Sequence, residues 1–269
     1  MADGLFDLGG QAALVTGAGQ GAGRRIAELL ATHNAAVAVN DFVAERAHAV
    51  AEDIRSSGGK AIAVQADVGD RASVAAAFAA ASAALGPITL LVNNAGNAGP
   101  RKDIAMDPVF WETDPADWPH FLNTNLLGVM NCCHVAMPAM VAARRGRIVS
   151  ITSDAGRIGE ARLAVYGAAK AGATGFMRCL AREAARYNIT CNSISLSSQE
   201  PPSWADWTEQ QKTEFYTSDA GKARLARYAL KRFGRPDDVA AMALFLCSDA
   251  AEWITGQTYP VNGGYSFNQ

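Results

Sequence analysis

Several classes of protein are excluded by what this sequence lacks. Its five cysteines are an odd number and include no C-x-x-C pair, which argues against a disulfide framework or a zinc site. Its four histidines form no H-E-x-x-H or similar pair, so we expect no bound metal. Reduced thiols are typical of the cytosol, and we therefore expect a cytoplasmic protein.

Net charge and long apolar runs are also scarce. The formal net charge is −2, which gives no electrostatic reason to expect nucleic acid or a membrane surface as a partner. Residues 1–10 include acidic side chains and no long apolar run, so no signal peptide is expected there. No uninterrupted apolar run approaches the roughly 18 residues that a membrane span needs.

What the sequence does contain is an alternation of short apolar segments with longer segments of helical spacing. Apolar strands separated by helices predict a parallel sheet covered by helices on both faces, a doubly wound α/β fold of the Rossmann type. With no linker in the chain, a single domain over 1–269 is the simplest organisation. The predicted strands are 12–16, 36–40, 60–65, 90–93, 146–151 and 189–194. The predicted helices are 21–33, 44–57, 71–85, 118–143, 165–187 and 236–248.

Residues 197–230 interrupt this alternation. A long insertion in a compact domain is often functional. We therefore weigh two interpretations equally: a lid over a substrate site, or an ordinary helical excursion whose aromatic side chains pack together. Its aromatic residues include Trp204, Trp207, Phe215, Tyr216 and Tyr228.

A glycine-rich loop follows the first predicted strand and precedes the first predicted helix. In this context glycines let the backbone approach a pyrophosphate at the helix N-terminus. The loop lacks the G-K-[ST] ending of an ATPase phosphate loop, so a dinucleotide is the expected ligand. The residues expected to contact it here are Gly17, Gln20, Gly21, Ala22 and Gly23.

Asp41 indicates which dinucleotide is bound. It ends the second predicted strand about 20 residues after the glycines, where a carboxylate accepts hydrogen bonds from the adenosine ribose hydroxyls. A carboxylate repels a 2′-phosphate, and position 20 and the residue after Asp41, Phe42, carry no positive charge. NAD is therefore favoured over NADP, with Phe42 expected at the same site. The alternative is a solvated loop aspartate.

Tyr166 and Lys170 form a candidate catalytic pair further along the chain. They are four residues apart on a predicted helix and so share one face. An ammonium group beside a phenol favours the phenolate, which predicts that the pKa of Tyr166 is lowered from about 10. Tyr166 would then act as general base toward an alcohol or general acid toward a ketone.

Together the motifs resemble the classical short-chain dehydrogenase/reductase family over about residues 6–265. The matching patterns are T-G-x-x-x-G-x-G at 16–23, N-N-A-G at 93–96, a serine at Ser153 and Y-x-x-x-K from Tyr166 to Lys170. The resemblance implies a seven-stranded Rossmann-type sheet and a homotetramer or homodimer.

The resemblance also implies roles for individual residues. Ser153 would hydrogen-bond the substrate oxygen, Lys170 the nicotinamide ribose, and Asn125 a water linked to Lys170. Asp67 is placed beside the adenine, although it could instead cap the next helix. The further cofactor contacts implied are Asp67, Val68, Asn94, Ala95, Gly96, Tyr166, Lys170, Leu196 and Ser198.

Two positions depart from the family pattern. Leu196-Ser197 stands where the family usually has Pro-Gly, which predicts a different loop path at the nicotinamide end because proline fixes φ and glycine permits positive φ. Asn262 replaces the usual aspartate near the C-terminus.

The sequence thus predicts an NAD-dependent oxidoreductase that interconverts a secondary alcohol and a ketone. The alternatives are an NADPH-dependent 3-oxoacyl-type ketoreductase and a catalytically silent nucleotide-binding regulator on the same fold. The aromatic insertion suggests an apolar or cyclic substrate, and arginines suggest a carboxylate or coenzyme A phosphate. The candidate substrate residues are Ser153, Arg157, Trp204 and Trp207, with Arg101 and Arg162 as further cations.

Overall fold

Seven parallel strands form one sheet in the computed structural model, which describes residues 4–97, 108–201, 203–204 and 207–267. The strand order is β3-β2-β1-β4-β5-β6-β7, so the chain reverses direction across the sheet between β1 and β4. Ligands of open α/β sheets bind at such a switch point. The predicted Rossmann-type fold is confirmed. The strands are β1 Ala12–Val15, β2 Ala36–Asp41, β3 Lys60–Gln65, β4 Ile88–Asn93, β5 Gly146–Ser153, β6 Ile189–Leu196 and β7 Thr258–Val261.

Helices cover both faces of the sheet because both faces are apolar. One core cluster packs Ile26 and Val239 against the sheet, and the other packs Phe78 and Met177 against the opposite face. The helices are α1 Gly21–Thr32, α2 Ala44–Ser56, α3 Arg71–Leu85, α4 Trp118–Leu122, α5 Gly128–Ala143, α6 Ala164–Ala184, α7 Glu209–Thr217, α8 Asp219–Leu225 and α9 Pro236–Cys247.

Strand boundaries differ from those predicted where pairing extends past the apolar segment. β4 begins at Ile88, which pairs with Ala12 of β1. β5 and β6 run on to Ser153 and Leu196, which pair with each other. Apolar patterning does not show these extensions, since the added positions include polar residues that are held by the ladder.

The long helix predicted over 118–143 is interrupted by a π-helical segment, Asn123–Leu127, between α4 and α5. The helical stretch Pro115–Ala143 contains an 18-residue window of mean hydropathy 1.6, which is long and apolar enough to cross a membrane by length and composition. Polar residues such as Asn131 interrupt this window, so the expectation that no uninterrupted apolar run approaches 18 residues still holds. In the fold, α5 packs Cys133 and Met140 into the core.

The insertion folds as α7 and α8 around an aromatic cluster. Trp204 is 6% exposed, and its ring stacks on Trp207 with centroids 4.6 Å apart. The ring of Phe215 meets Trp204 edge-on at 4.9 Å. These contacts agree with the packing interpretation of the aromatic residues, whereas lid movement remains a prediction.

Candidate active site

The glycine-rich loop is fixed to the end of β4. The side-chain amide of Asn94 donates to the carbonyl oxygens of Thr16 and Gly17, at 2.9 and 3.0 Å, and the Ala95 N–H donates to Thr16 Oγ1 at 2.9 Å. Gly17 has φ +60°, and a Cβ there would lie 2.8 Å from Ala95 Cα. Only glycine fits this backbone at such a close approach.

A cleft of ≈ 650 Å³ opens in front of this loop, at the carboxyl ends of β1, β2 and β4. Gly21, Ala22 and Gly23 form the first turn of α1 behind the loop. The predicted cofactor residues that line the cleft are Gly17, Gln20, Asp41, Phe42, Asp67, Val68, Asn94, Ala95 and Gly96.

Asp41 is held rigidly at one end of the cleft. It is 6% exposed, and its two carboxylate oxygens accept hydrogen bonds from the Gly19 N–H at 3.0 Å and the Val43 N–H at 2.9 Å. It is therefore not a solvated loop residue. Arg46, on the first turn of α2, lines the same cleft and was missed from the sequence.

Asp67 does not cap the helix that follows it. Its Oδ1 accepts the Gly69 N–H at 2.8 Å, whereas Asp70 is the N-cap of α3 and accepts the Ala72 N–H at 2.9 Å. The capping alternative for Asp67 is wrong, and its position on the cleft is compatible with the cofactor contact.

The three catalytic candidates meet where β5 ends and α6 begins. Ser153 ends β5, and its side chain lies close enough to Tyr166 to lower the pKa of the phenol. Lys170 lies one turn after Tyr166, with Nζ 5.7 Å from the centroid of the phenol ring. Lys170 is 4% exposed, and its ammonium group donates to the carbonyl oxygen of Ile151 at 3.0 Å.

Burial controls the protonation of both titratable groups. It raises the pKa of Tyr166, and the hydrogen bond from Ser153 opposes that rise. It lowers the pKa of Lys170 to about 8. The predicted lowering of the Tyr166 pKa by Lys170 is therefore wrong in direction, because desolvation of the phenolate outweighs its stabilisation.

Asn125 lies in the π-helical segment and is fully buried. Its Nδ2 donates to the carbonyl oxygens of Phe121 at 2.9 Å and Asn97 at 3.1 Å. Gly96 lies between Asn125 and Lys170, since a Cβ on Gly96 would be 2.9 Å from both Asn125 Oδ1 and Lys170 Nζ. Asn125 thus binds backbone carbonyl groups, and the water-holding role remains a prediction.

The loop after β6 takes its path from Tyr228 in the insertion. The Tyr228 hydroxyl lies 2.9 Å from Ser197 Oγ and accepts the Ser198 N–H at 3.3 Å. Leu196 itself pairs with Ser153 across β5 and β6. Leu196 therefore lies beside Ser153, while Ser198 is turned toward the insertion.

The other substrate candidates are engaged elsewhere. Arg157 donates to Asp154 Oδ1 at 2.7 Å and to Ser266 Oγ at 3.1 Å. Trp204 and Trp207 belong to the aromatic cluster of the insertion. Arg101 lies outside the described residues, and the substrate contacts of this group remain predictions.

Comparisons with known proteins decide the family. A family model described as enoyl-(acyl carrier protein) reductase matches residues 17–266. The chain is 36% identical to a 3-oxoacyl-[acyl-carrier-protein] reductase of Staphylococcus aureus, covering 94% of this chain and 97% of the relative. The chain belongs to the short-chain dehydrogenase/reductase family.

Two further members of this family are similar in sequence or structure. A cis-4-hydroxycyclohexanecarboxylate dehydrogenase of Sinomonas cyclohexanicum is 37% identical, covering 94% of this chain and 96% of the relative. A gluconate 5-dehydrogenase of Burkholderia cenocepacia, solved in complex with NADP and tartrate, superposes with a TM-score of 0.86 at 30% identity, covering 98% of each chain. These relatives share one kind of function: they are oxidoreductases that act on CH–OH or keto groups.

Several residues of this short-chain dehydrogenase/reductase site were missed from the sequence. His120, Asn123 and Thr124 line the cleft because α4 and the π-helical segment bring them over it. No sequence signal marks a π-helical segment. Such a segment rotates the side chains that follow it about the helix axis, so an α-helical pattern does not show which of them face the cleft. Arg46 could have been found, since the first turn of a helix following β2 lies beside the strand's carboxyl end.

Proposed function

We propose that this protein is an NAD-dependent oxidoreductase that interconverts a secondary alcohol and a ketone, with Tyr166 as the proton-transfer residue. The observation that carries the proposal is the convergence of the side chains of Ser153 and Tyr166, with the buried ammonium group of Lys170 beside them. A catalytically silent regulator would have no need of a buried ammonium group, since its burial costs free energy.

The residues around the cleft fit a dinucleotide. One wall of the cleft is backbone at Gly17, where a side chain would collide with Ala95, and the fixed carboxylate of Asp41 also lines it. NAD, when bound, supplies the acceptor or donor of the hydride. The chain supplies orientation and the proton.

Each catalytic residue then has one task at the substrate oxygen. The Ser153 hydroxyl donates a hydrogen bond to that oxygen and stabilises charge that develops on it. The Tyr166 hydroxyl gives its proton to a ketone oxygen, and in the reverse direction the Tyr166 phenolate takes the proton of an alcohol. Lys170 Nζ, one helical turn away, stabilises the phenolate that remains after proton donation.

NAD preference depends on the balance of two side chains at the adenosine end. Asp41 is buried and fixed by two backbone N–H groups, whereas Arg46 is exposed and could attract a 2′-phosphate. We favour NAD because a fixed carboxylate repels the phosphate at no cost in side-chain ordering. The neighbour solved with NADP favours the opposite preference.

Titration with NADH and NADPH separately, followed by fluorescence quenching, tests this preference. We expect NADH to bind more tightly to the wild type. Asp41→Ala should lower the ratio of the dissociation constants for NADPH and NADH by about tenfold, because it removes the repulsion between the carboxylate and the 2′-phosphate. Arg46→Ala is the matched control and should weaken NADPH alone. Tighter NADPH binding by the wild type would overturn the NAD proposal.

For the substrate we propose a cyclic or otherwise apolar secondary alcohol that carries a carboxylate. The relative acting on cis-4-hydroxycyclohexanecarboxylate and the neighbour solved with tartrate support a hydroxy acid. The second candidate is a 3-oxoacyl thioester, supported by the 36% identical reductase. Turnover of cis-4-hydroxycyclohexanecarboxylate with NAD, measured beside reduction of a 3-oxoacyl thioester, separates the two.

We further propose a cytoplasmic homo-oligomer. Four of the five cysteines are buried, and burial raises the pKa of Cys133 and Cys247 to about 12, which makes these thiols unreactive. The apolar side chains of Leu127 and Met130 are 43% and 38% exposed on the helix over the cleft. A second copy of the chain is the partner we expect there.

A further inference from the structure

A carboxylate is buried beside Ser153 on a residue to which the proposed reaction gives no task. Asp154 follows Ser153 directly and is 1% exposed. A buried carboxylate is tolerated only when its oxygens are well hydrogen-bonded or paired. Four side chains meet this need: Arg157 Nη1 at 2.7 Å and Ser195 Oγ at 2.7 Å donate to Oδ1, and Asn262 Nδ2 at 2.6 Å and Ser266 Oγ at 3.0 Å donate to Oδ2.

The four donors come from different parts of the chain that converge on the catalytic end of the sheet. Ser195 lies in β6, next to the residue that pairs with Ser153. Asn262 and Ser266 lie in the C-terminal turn that follows β7. Asp154 therefore ties the turn after Ser153 to a neighbouring strand and to the C-terminus.

That same turn determines where the Ser153 hydroxyl points. The Ala155 N–H donates to Ser153 Oγ at 3.2 Å. The turn also presses against α6, since a Cβ on Gly156 would lie 2.7 Å from the Ala171 nitrogen. Any movement of the turn would therefore move the serine hydroxyl relative to Tyr166.

We propose that Asp154 is a positioning residue, whose carboxylate holds the turn that aims the Ser153 hydroxyl at Tyr166. The proposal rests on the proposed function, in which these two hydroxyl groups contact the substrate oxygen.

The side-chain amide at position 262 is chemically complementary to the carboxylate at position 154. Asn262 can donate to Asp154, whereas the aspartate that the family pattern carries there would place a second carboxylate within 2.6 Å of the first. Two buried like charges at that distance destabilise each other strongly. We therefore expect the site to tolerate Asp154→Asn and Asn262→Asp when they are made together, but neither substitution alone.

The test compares Asp154→Asn, Asn262→Asp and the double exchange with the wild type. We expect each single variant to lower kcat by about 10- to 100-fold with little change in KM or NADH affinity, because the serine is misplaced while the cleft is intact. The double exchange should recover most of the loss. Asp53→Asn, an exposed Asp paired with Arg24, is the matched control and should leave kcat unchanged.

A second readout does not depend on turnover. Tyr166 can be titrated by NMR of protein labelled with ¹³C at tyrosine Cζ, its signal assigned by loss in Tyr166→Phe. Since the side chain of Ser153 opposes the rise in the pKa of Tyr166, Asp154→Asn should move that pKa further upward, as Ser153→Ala also should, and the double exchange should return it. A role in folding alone would change the melting temperature without moving this titration.

The outcomes separate the two proposals. Absence of turnover in the wild type, with the titration shifts as expected, would reject the proposed function and keep Asp154 as the residue that positions Ser153. Two results would overturn the positioning role. One is a folded Asp154→Asn variant in which the pKa of Tyr166 is unchanged, and the other is a wild-type kcat in both single variants. If Asp154→Asn does not fold, Ser195→Ala removes one donor only and should give a smaller shift in the same direction.

Discussion

At Lys170 the protein keeps a buried ammonium group that opposes folding. Burial lowers its pKa from 10.5 to about 8. An unfolded chain holds this proton more tightly, so the penalty is fully present below pH 8 and fades as the pH rises toward 10.5. At about 1.4 kcal/mol per pKa unit the cost is about 3 kcal/mol.

Lys170→Met is therefore expected to raise the free energy of unfolding at pH 7 by up to about 3 kcal/mol while abolishing turnover. The gain should shrink above pH 8. Urea unfolding at a series of pH values measures it, with Lys60→Met, an exposed lysine of β3, as the control that changes little. Loss of stability in Lys170→Met at pH 7 would contradict this account.

Tyr166 is the residue whose removal should separate binding from chemistry. Tyr166→Phe is expected to lower kcat by about 10²- to 10⁴-fold with NADH affinity unchanged, because only the proton donor is lost. Since burial raises its pKa, wild-type alcohol oxidation should keep rising with pH well past neutrality. Steady-state kinetics across pH measure both effects.

Tyr187→Phe, in the turn after α6, is the control for this substitution and should keep full activity. Wild-type turnover by Tyr166→Phe would mean that another group transfers the proton. That Ser153, Tyr166 and Lys170 lie together was predictable from their spacing in the sequence. The direction of the Tyr166 pKa was not, because charge proximity shows in a sequence and burial does not.

At the scale of secondary-structure elements, the sequence predicted whether a segment is a helix or a strand better than it predicted where the segment begins and ends. The first six strands were found because they are apolar and short, while the ends of β5 and β6 depend on pairing between Ser153 and Leu196. The π-helical segment Asn123–Leu127 has no local signal, although it decides which side chains reach the cleft. The 197–230 excursion was visible only as a break in the alternation.

The aromatic cluster should make the insertion fold as a unit around Trp204. Trp204→Ala is expected to remove about 3–5 kcal/mol of packing free energy. Hydrogen exchange should then rise in α7 and α8 while the sheet keeps its protection, and KM for substrate should rise with NADH affinity unchanged. Trp253→Ala, at a side chain 97% exposed, is the control.

Equal loss of protection in the insertion and the sheet after Trp204→Ala would show that the cluster belongs to the main core. An unchanged KM with a locally unfolded insertion would reject its role as a substrate lid.

At the scale of the whole molecule, the site is assembled from two groups of contacts at the carboxyl end of the sheet. At the switch point, Asn94 fixes the glycine-rich loop that follows β1 to the end of β4. Further along the sheet, Asp154 gathers β6 and the C-terminal turn around Ser153. The first tie belongs to a motif and was predictable, whereas the second joins residues 108 positions apart and could come only from the fold.

Assembly is the remaining property at this scale. The helical stretch Pro115–Ala143 is apolar, yet only 33% of its most apolar window is buried within one chain, which favours burial against a second copy. Met130→Glu is expected to weaken assembly by placing a charge on that face, so its mass by light scattering should fall toward 28.2 kDa at low concentration. Leu230→Glu, on the insertion, should keep the wild-type mass. A wild type that is monomeric at all concentrations, or an assembly that survives Met130→Glu, would show that copies of the chain do not meet on this face.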